Sequence, residues 1–520
     1  MTLDSSKIKT AIILLLALFA ALYLGIAAAT AQLEAIAWVA GTLSVVVCLT
    51  LGRRIWLIIP LLSSLGFRLP LPGTISTMMV AQMAVLGMFA LLFLMRKLPF
   101  RFRFTELEGW SLLFGACVLQ AYLRNPVGLN LFGAATIGGR PYVEFALTYA
   151  TAFSFFTLIV SPKDIVWWVR LTMIGSTINF VVGALAVRIP FLGRLMGASF
   201  GTAGTENTRV SIDPEAAGRV SYVRGISYNV ALWISSLMSP LKALFHPLWG
   251  GLVLFTMVAA AYSGYRSQIA VVALAYLGGL YYRGGIPHLI MSGFGAAMAI
   301  ALLAFVNLLA PLPPNIQRSL TFLPGTWEQR YKDDTKVSND WRTEIWIEAL
   351  TSEKYISNKL IGDGLGMTAE QYQKSVALAD STATGVGGWD AHRESILISG
   401  DYHSGPVQTI RTVGYFGLLV VLIGMIRVAV HAHRQILRCR GTEWYPTALF
   451  LGIPAVTGPV FWVFVFGSFD SGAAYLLMGA AMIRLLENNL PLPAYVHHRR
   501  EPYILRKLPT PVNQPVKQGR

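Results

Sequence analysis

Residues 401–417 read DYHSGPVQTIRTVGYFG and join a polar segment, 311–414, to an apolar run. This junction predicts that His403 lies where a water-filled compartment meets a membrane. Gly414 and Gly417 follow within the apolar run, and small residues at this spacing allow two helices to approach closely. Taken alone, the stretch is equally typical of a polar helix start, so its role depends on the rest of the chain.

The composition indicates a polytopic membrane protein. Of the 520 residues, 54% are hydrophobic and only 13% are charged, whereas soluble domains carry about 25% charged residues. A membrane-spanning helix needs roughly 20 apolar residues, and such runs recur almost from end to end. The predicted spans are 10–31, 35–51, 55–70, 75–95, 109–123, 142–160, 165–187, 228–245, 248–264, 267–282, 289–310, 415–433, 446–464 and 468–486. The sequence therefore predicts an all-α polytopic membrane protein with about 14 transmembrane helices, within a range of about 12–14.

The basic residues predict how these spans are oriented. With an even number of spans, the basic clusters all fall on one side, which is the cytoplasmic side by the positive-inside rule. The clusters comprise Lys7, Lys9, Arg53, Arg54, Arg96, Lys97, Arg101, Arg103, Arg427, Arg434, Arg438, Arg440 and the basic residues of the C-terminal tail. The net charge of +16 is therefore attributed to cytoplasmic loops and to a tail near membrane lipids, and no nucleic-acid partner is predicted.

Two large connections are then expected to face the outer compartment. The first contains five arginines, among them Arg219 and Arg224, and no lysine. The second holds 13 of the 26 acidic residues of the chain against 10 lysines and arginines, and it is predicted to form a mostly helical lobe between the eleventh and twelfth spans. The predicted organisation is an N-terminal transmembrane bundle (1–187), an arginine-rich periplasmic loop (188–227), core transmembrane helices (228–310), a periplasmic catalytic lobe (311–414), C-terminal transmembrane helices (415–486) and a basic cytoplasmic tail (487–520).

Charged residues deep within the predicted spans are few. An ion-coupled transporter would place such residues near the middle of the bilayer, so their scarcity favours a site at the outer membrane surface. Arg266 lies in a short outer turn, where it either snorkels to the interface or binds a phosphate in bidentate fashion. Arg342 is expected on a helix that begins near 338–340, where it either pairs with Glu344 or Glu348 or contributes to a binding site.

His403 is the third candidate, because histidine exchanges a proton near neutral pH, as a general base must. The sequence contains no HExxH, CxxC or P-loop motif, and the outer loops contain no Asp-x-Asp pair. The three cysteines are far apart in the sequence. The sequence therefore predicts neither a cofactor nor a metal site, and it favours metal-independent chemistry.

The spacing of His403, Ser404, Gly414 and Gly417 resembles a motif of the bacterial O-antigen ligase and O-antigen polymerase superfamily. In that motif a histidine and a small polar residue are followed by nine residues, a glycine, two residues and a second small or polar residue. The position also fits, because the motif ends the large outer loop and three predicted spans follow it.

Three further stretches are similar to the same family. The turn that ends at Arg266 and the segment from Arg342 to Trp346 look like its two arginine motifs, and GDGLG at 362–366 is similar to its Gly-x-Gly-x-Gly stretch. The resemblance covers 219–466. The predicted number of spans is larger than is usual in the family.

The resemblance implies an inverting, metal-independent membrane glycosyltransferase of the GT-C type. It would reside in the bacterial inner membrane, with its active site facing the periplasm, and would serve lipopolysaccharide or exopolysaccharide biosynthesis. The donor would be an undecaprenyl diphosphate-linked glycan, and the acceptor a glycan or a lipid A-core. The implied roles are general base for His403, diphosphate binding for Arg219, Arg224, Arg266 and Arg342, and a structural role for Ser404, Gly414 and Gly417.

Two other function classes remain open from the sequence. One is a transporter or flippase of lipid-linked glycans, and the other is a non-catalytic polysaccharide-assembly protein. Only catalysis requires Arg266, Arg342 and His403 to lie close together in space.

Overall fold

The computed structural model describes residues 46–66, 75–127, 139–189, 220–383 and 388–491. Within these ranges the regular elements are helices. We number them α1 (Val46–Leu65), α2 (Thr77–Leu94), α3 (Glu106–Arg124), α4 (Arg140–Thr157), α5 (Pro162–Arg188), α6 (Val223–Leu237), α7 (Pro240–Leu244), α8 (Pro247–Tyr262), α9 (Arg266–Leu309), α10 (Pro314–Leu320), α11 (Gln329–Thr351), α12 (Ala369–Ala383), α13 (Gly388–Ser399), α14 (Gly405–Cys439), α15 (Tyr445–Phe464) and α16 (Phe469–Asn489). The predicted span 10–31, most of 35–51, Arg219 and the tail from 492 onward lie outside the described residues.

Seven of the described helices are long and apolar enough to cross a membrane: α1, α2, α5, α9, α14, α15 and α16. The chain is therefore an all-α, multi-pass membrane protein, as its composition predicts. The predicted spans 109–123, 142–160 and 228–245 correspond to α3, α4 and α6. These three helices are not among the seven, because α3 and α4 carry more polar residues and α6 has only 15 residues.

Helix α9 is interrupted in its middle and contains two predicted spans, 267–282 and 289–310. Its 44 residues include Gly285, whose φ of 72° is not helical. The chain reverses there, because both ends of α9 reach the same end of the bundle. Shortly after α9, Ser319 donates a hydrogen bond to the carbonyl of Ala261, five residues before α9 begins, at 2.6 Å.

Helix α14 is the central helix of the C-terminal part and packs against α3, α15 and α16. It is also interrupted, at Gly414, where φ is 74°. A side chain is excluded at this position, since a Cβ atom would lie 2.2 Å from the backbone of Leu360. Gly414 thus allows the backbone of the loop at Leu360 to cross α14. The glycine spacing in the sequence suggested only that two helices pack closely.

The polar segment before α14 forms α10 to α13, and a small apolar core joins it to the start of α14. This core comprises Ile345, Ala349, Ile356, Leu397, Tyr402, Val407 and Ile410. The sequence-based prediction that α11 begins near 338–340 was wrong, because the helix begins at Gln329. Ser338 and Asn339 lie within the helix and present their polar side chains to a neighbouring arginine, so they do not cap its N-terminus.

An ionic cluster connects α3, α14 and α16. Arg484 is 2% exposed and forms ion pairs with Glu108 at 2.7 Å and with Glu487 at 2.6 Å. His431 lies between Glu487 at 2.9 Å and Glu106 at 2.7 Å. No local sequence pattern indicates this cluster, because Glu106 and Glu108 lie more than 300 positions before His431 and Arg484.

Replacing Arg484 by methionine is expected to lower the free energy of unfolding by about 3–5 kcal/mol, because the buried carboxylate of Glu108 loses its partner. Thermal unfolding of the purified protein in detergent measures the change. Arg427→Lys is the matched control, since Arg427 is 44% exposed where it pairs with Glu106, and exposed pairs contribute about 0–1 kcal/mol. Equal losses of stability in the two variants would contradict this assignment.

Candidate functional site

Four of the residues singled out in the sequence border one cavity of about 580 Å³: Arg224, Arg266, Arg342 and His403. They come from the start of α6, the start of α9, the middle of α11 and the loop before α14. The other lining residues are Gly264, Tyr265, Ser267, Ile269, Ala270, Ala273, Arg318, Phe322, Thr335, Ser338, Asn339, Phe464, Val465 and Phe466. We call this space the arginine cavity. Arg219 lies outside the described residues, and Ser404, Gly414 and Gly417 do not line the cavity.

Arg266 is placed by a tight turn between α8 and α9. Gly264 has a φ of 73°, a value that favours glycine. The hydroxyl of Ser263 is buried, accepts from the backbone amide of Tyr265 at 3.2 Å and donates to the carbonyl of Ala260 at 2.6 Å. Arg266 is therefore the first residue of α9, and its guanidinium reaches Asn339 at 3.3 Å. The guanidinium also donates to the hydroxyl of Ser338 at 3.4 Å, and hydrogen bonds of this length are weak.

Two further arginines complete the cationic lining. The guanidinium of Arg224 lies 4.7 Å from the centre of the Tyr265 ring. The backbone carbonyl of Arg224 accepts a hydrogen bond from the side-chain amide of the buried Gln268 at 2.9 Å. Arg318 lies on the short helix α10 and also borders the cavity. Arg318 could not be singled out from the sequence, because nothing in the surrounding residues distinguishes it from the other arginines of the polar segment.

Arg342 projects from α11, with its guanidinium 5.8 Å from the centre of the Trp341 ring. The sequence left open that Arg342 pairs with Glu344 or Glu348. In the structure both carboxylates form ion pairs with Arg393, at 3.8 Å and 2.5 Å. Arg342 borders the arginine cavity together with Ser338 and Asn339 of the same helix.

His403 is held in an unusual backbone conformation, with a φ of 53°, which is uncommon for residues other than glycine. Its imidazole is stacked on Phe466, with ring centres 5.7 Å apart, and meets Trp341 edge-on at 6.2 Å. The preceding residue, Tyr402, is fully buried, and its carbonyl accepts from the indole of Trp346 at 2.7 Å. The imidazole is thus held at the edge of the cavity, and the side chain of His403 is 20% exposed.

A chain of polar contacts reaches the imidazole from the side. The carboxylate of Asp401 lies 3.5 Å from Nδ1 of His403. Gln408 donates to the same carboxylate oxygen at 3.0 Å and accepts from the backbone amide of Phe469 at 2.8 Å. At 3.5 Å the contact is electrostatic rather than a close hydrogen bond, and a carboxylate on this side favours the tautomer with the proton on Nδ1 and Nε2 as the acceptor. No motif in the sequence assigns Asp401 or Gln408 to the site.

The arginine cavity carries a strong positive charge. Four guanidinium groups border it, and none of the lining residues whose side chains the structure describes is aspartate or glutamate. Arginine remains charged at all physiological pH values and matches the geometry of phosphate oxygens. The lining therefore suits a ligand with two or more phosphate charges. In the described part of the chain, no group of three or more His, Cys, Asp or Glu residues is arranged to hold a metal ion.

Comparison with protein-family models and with curated proteins finds no match to this sequence. The resemblance to the O-antigen ligase superfamily therefore depends on the motifs and on their positions in the chain.

Proposed function

We propose that this protein is an inverting membrane glycosyltransferase that transfers or polymerises a glycan from undecaprenyl diphosphate onto an acceptor hydroxyl. The observation that carries the proposal is the grouping of four arginines and one oriented histidine around a single cavity. A lipid diphosphate needs fixed cations, and an acceptor hydroxyl needs a base. A scaffold protein requires neither group in one place.

The chemistry follows from these positions. The acceptor oxygen attacks the anomeric carbon of the glycan from the face opposite the diphosphate. As this C–O bond forms, the bond between the anomeric carbon and the phosphate oxygen breaks, and its electron pair leaves with the diphosphate. The acceptor proton moves to Nε2 of His403, and the anomeric configuration inverts.

The arginines stabilise the leaving group. Negative charge develops on the phosphate oxygen as the bond breaks, and preorganised donors at that point stabilise the transition state more than the ground state. Arg266 and Arg342 approach the cavity from different helices, so they can contact different oxygens of the diphosphate. This arrangement neutralises the leaving group by means of side chains, and we propose that the reaction is independent of metal ions.

Reconstitution tests the proposed reaction. The purified protein is mixed with a lipid diphosphate-linked glycan and either a lipid A-core or a second lipid-linked glycan, and the products are separated on a gel. A product with the lipid A-core indicates a ligase, and a ladder with the second glycan indicates a polymerase. Activity should persist in EDTA. Absence of product with both acceptors would refute the transferase, and loss in EDTA with recovery in Mg²⁺ would refute the metal-independent reaction.

The proposal places the arginine cavity at the periplasmic surface of the bacterial inner membrane, with about 14 spans and both termini in the cytoplasm. In a variant without native cysteines, a cysteine at the exposed Ser357 is therefore expected to react with an impermeant thiol reagent added to intact spheroplasts. A cysteine at the exposed Gly441 should react only after the membrane is permeabilised. The reverse labelling pattern would invalidate the orientation.

A further inference from the structure

The turn between α2 and α3 combines basic and aromatic residues. Residues 96–104 read RKLPFRFRF. Four of them are exposed cations, which we call the basic turn: Arg96, Lys97, Arg101 and Arg103. No acidic residue occurs between positions 77 and 105, and the next two, Glu106 and Glu108, already pair with Arg427 and Arg484. The described part of the chain therefore offers the basic turn no carboxylate partner.

The basic turn lies at the end of the bundle opposite the arginine cavity. The carbonyl of Arg103 accepts from Arg484 at 3.0 Å, and Glu106, at the start of α3, pairs with Arg427 of α14. Arg427 follows the start of α14 by about 20 residues, or roughly 30 Å of helix, which is about the thickness of the hydrocarbon core of a bilayer. The basic turn is therefore at the membrane surface that the cavity does not face, at the level of phospholipid headgroups.

An apolar pocket of about 350 Å³ opens beside the basic turn, between α2 and α4. Its apolar lining includes Phe89, Phe93, Leu98, Phe100 and Leu158. Ser154 and Thr157 also border the pocket, but their hydroxyls donate to carbonyls of their own helix at 2.8 and 3.1 Å. These hydroxyls need no polar ligand, so the pocket suits a hydrocarbon chain. We call it the phenylalanine pocket.

Backbone hydrogen bonds hold the basic turn against this pocket. The amide of Arg101 donates to the carbonyl of Thr157 at 2.7 Å, and Phe100 forms an antiparallel bridge with Leu158. Successive side chains of an extended segment point to opposite sides, so Phe100 lines the pocket and Arg101 does not. The rings of Phe93 and Phe100 lie 5.8 Å apart, and the two residues are 57% and 52% exposed. The phenylalanine pocket is thus open to the membrane next to the cations.

Arg96 occupies a position where glycine is the usual residue. Its φ of 54° is left-handed, and the turn ends α2, with the amide of Lys97 donating to the carbonyl of Leu92 at 2.8 Å. Glycine is most common at such helix ends, because it adopts this backbone conformation without a steric cost. The exposed guanidinium of Arg96 has no carboxylate partner among the described residues, so its charge is available to a ligand.

We propose that the basic turn and the phenylalanine pocket together bind one anionic phospholipid of the adjoining leaflet. The cations bind its phosphate, and the pocket takes part of one acyl chain. Charge decides the headgroup, because cations at a membrane surface attract lipids with a net negative charge, whereas a choline or ethanolamine headgroup adds a cation of its own. The pocket distinguishes this site from a basic surface that would attract any phosphate. Binding here is separate from glycan transfer, which takes place at the opposite end of the bundle.

Photo-crosslinking tests where the lipid binds. Phosphatidylglycerol with a diazirine on its acyl chain near the glycerol is added to the full-length protein in detergent, and we expect labelling within 86–104 and 150–160. Phosphatidylglycerol should compete for this labelling at least about tenfold better than phosphatidylcholine with the same chains, and glycerol phosphate should not compete. Labelling spread evenly over the membrane-spanning helices, or equal competition by the two lipids, would overturn the site. Competition by glycerol phosphate would overturn the role of the pocket.

Arg96→Gly separates lipid binding from stability. Glycine suits the left-handed backbone, so the lipid-free variant should unfold at a temperature no lower than that of the wild type. Its Kd for phosphatidylglycerol, measured by native mass spectrometry, should nevertheless rise about fivefold, the effect of one cation near a membrane surface. Arg440→Ala is the matched control, because it removes an exposed arginine where α14 ends, and it should change Kd by less than about twofold. Equal changes in the two variants would show unspecific attraction and refute the site.

Discussion

His403→Ala is expected to lower the turnover number by roughly 10²-fold or more, because a positioned general base contributes about 10²–10⁴-fold to a rate. Donor binding should remain close to that of the wild type, since in the proposed mechanism the imidazole contacts the acceptor proton and the arginines hold the diphosphate. Steady-state transfer kinetics with a lipid-linked glycan measure the first quantity. Binding of undecaprenyl diphosphate to the same preparation measures the second.

Asp401 provides a graded comparison for this variant. Asp401→Asn leaves the imidazole in place but removes the carboxylate 3.5 Å from its Nδ1, so we expect a turnover number between those of the wild type and His403→Ala. Arg427→Lys should leave transfer almost unchanged, because Arg427 lies outside the cavity and pairs with Glu106. A His403→Ala protein that inserts normally and retains wild-type turnover would show that the histidine is only a residue at a helix start.

The helical class could be predicted from the sequence because the apolar runs have the length that a membrane requires. The interruptions in α9 and α14 could not, although both glycines are visible. Glycine adopts positive and negative φ about equally readily, so the sequence alone does not show which glycine interrupts a helix. At Gly414 the close approach of the Leu360 backbone excludes a side chain. Such a contact links two distant parts of the chain and leaves no local pattern.

The candidate site likewise contains residues that could be predicted from the sequence and residues that could not. His403, Arg266 and Arg342 could be singled out because each belongs to a recognisable motif or turn. Arg318 and Asp401 could not, because their relevance depends on the packing of α10 beside the cavity and on the left-handed backbone at His403. The start of α11 was predicted wrongly for a related reason. Serine and asparagine, as at Ser338 and Asn339, occur both as helix caps and within a helix whose face meets another polar group.

Arg266→Lys is expected to reduce kcat/KM for glycan transfer by roughly 10- to 100-fold, although it keeps the positive charge. A guanidinium can donate two parallel hydrogen bonds to a phosphate, whereas an ammonium acts as a point charge. One lost hydrogen bond to a charged group corresponds to about 1.5–3 kcal/mol.

The comparison of lysine and alanine at Arg266 separates charge from geometry. If the two-pronged contact forms mainly in the transition state, Arg266→Lys should lower kcat with little change in KM, and Arg266→Ala should add a loss of donor binding. Arg393→Lys is the matched control, because Arg393 pairs with Glu348 and lies outside the arginine cavity. If Arg266→Lys transfers glycan as fast as the wild type, any cation suffices at this position, and the bidentate contact with the diphosphate does not exist.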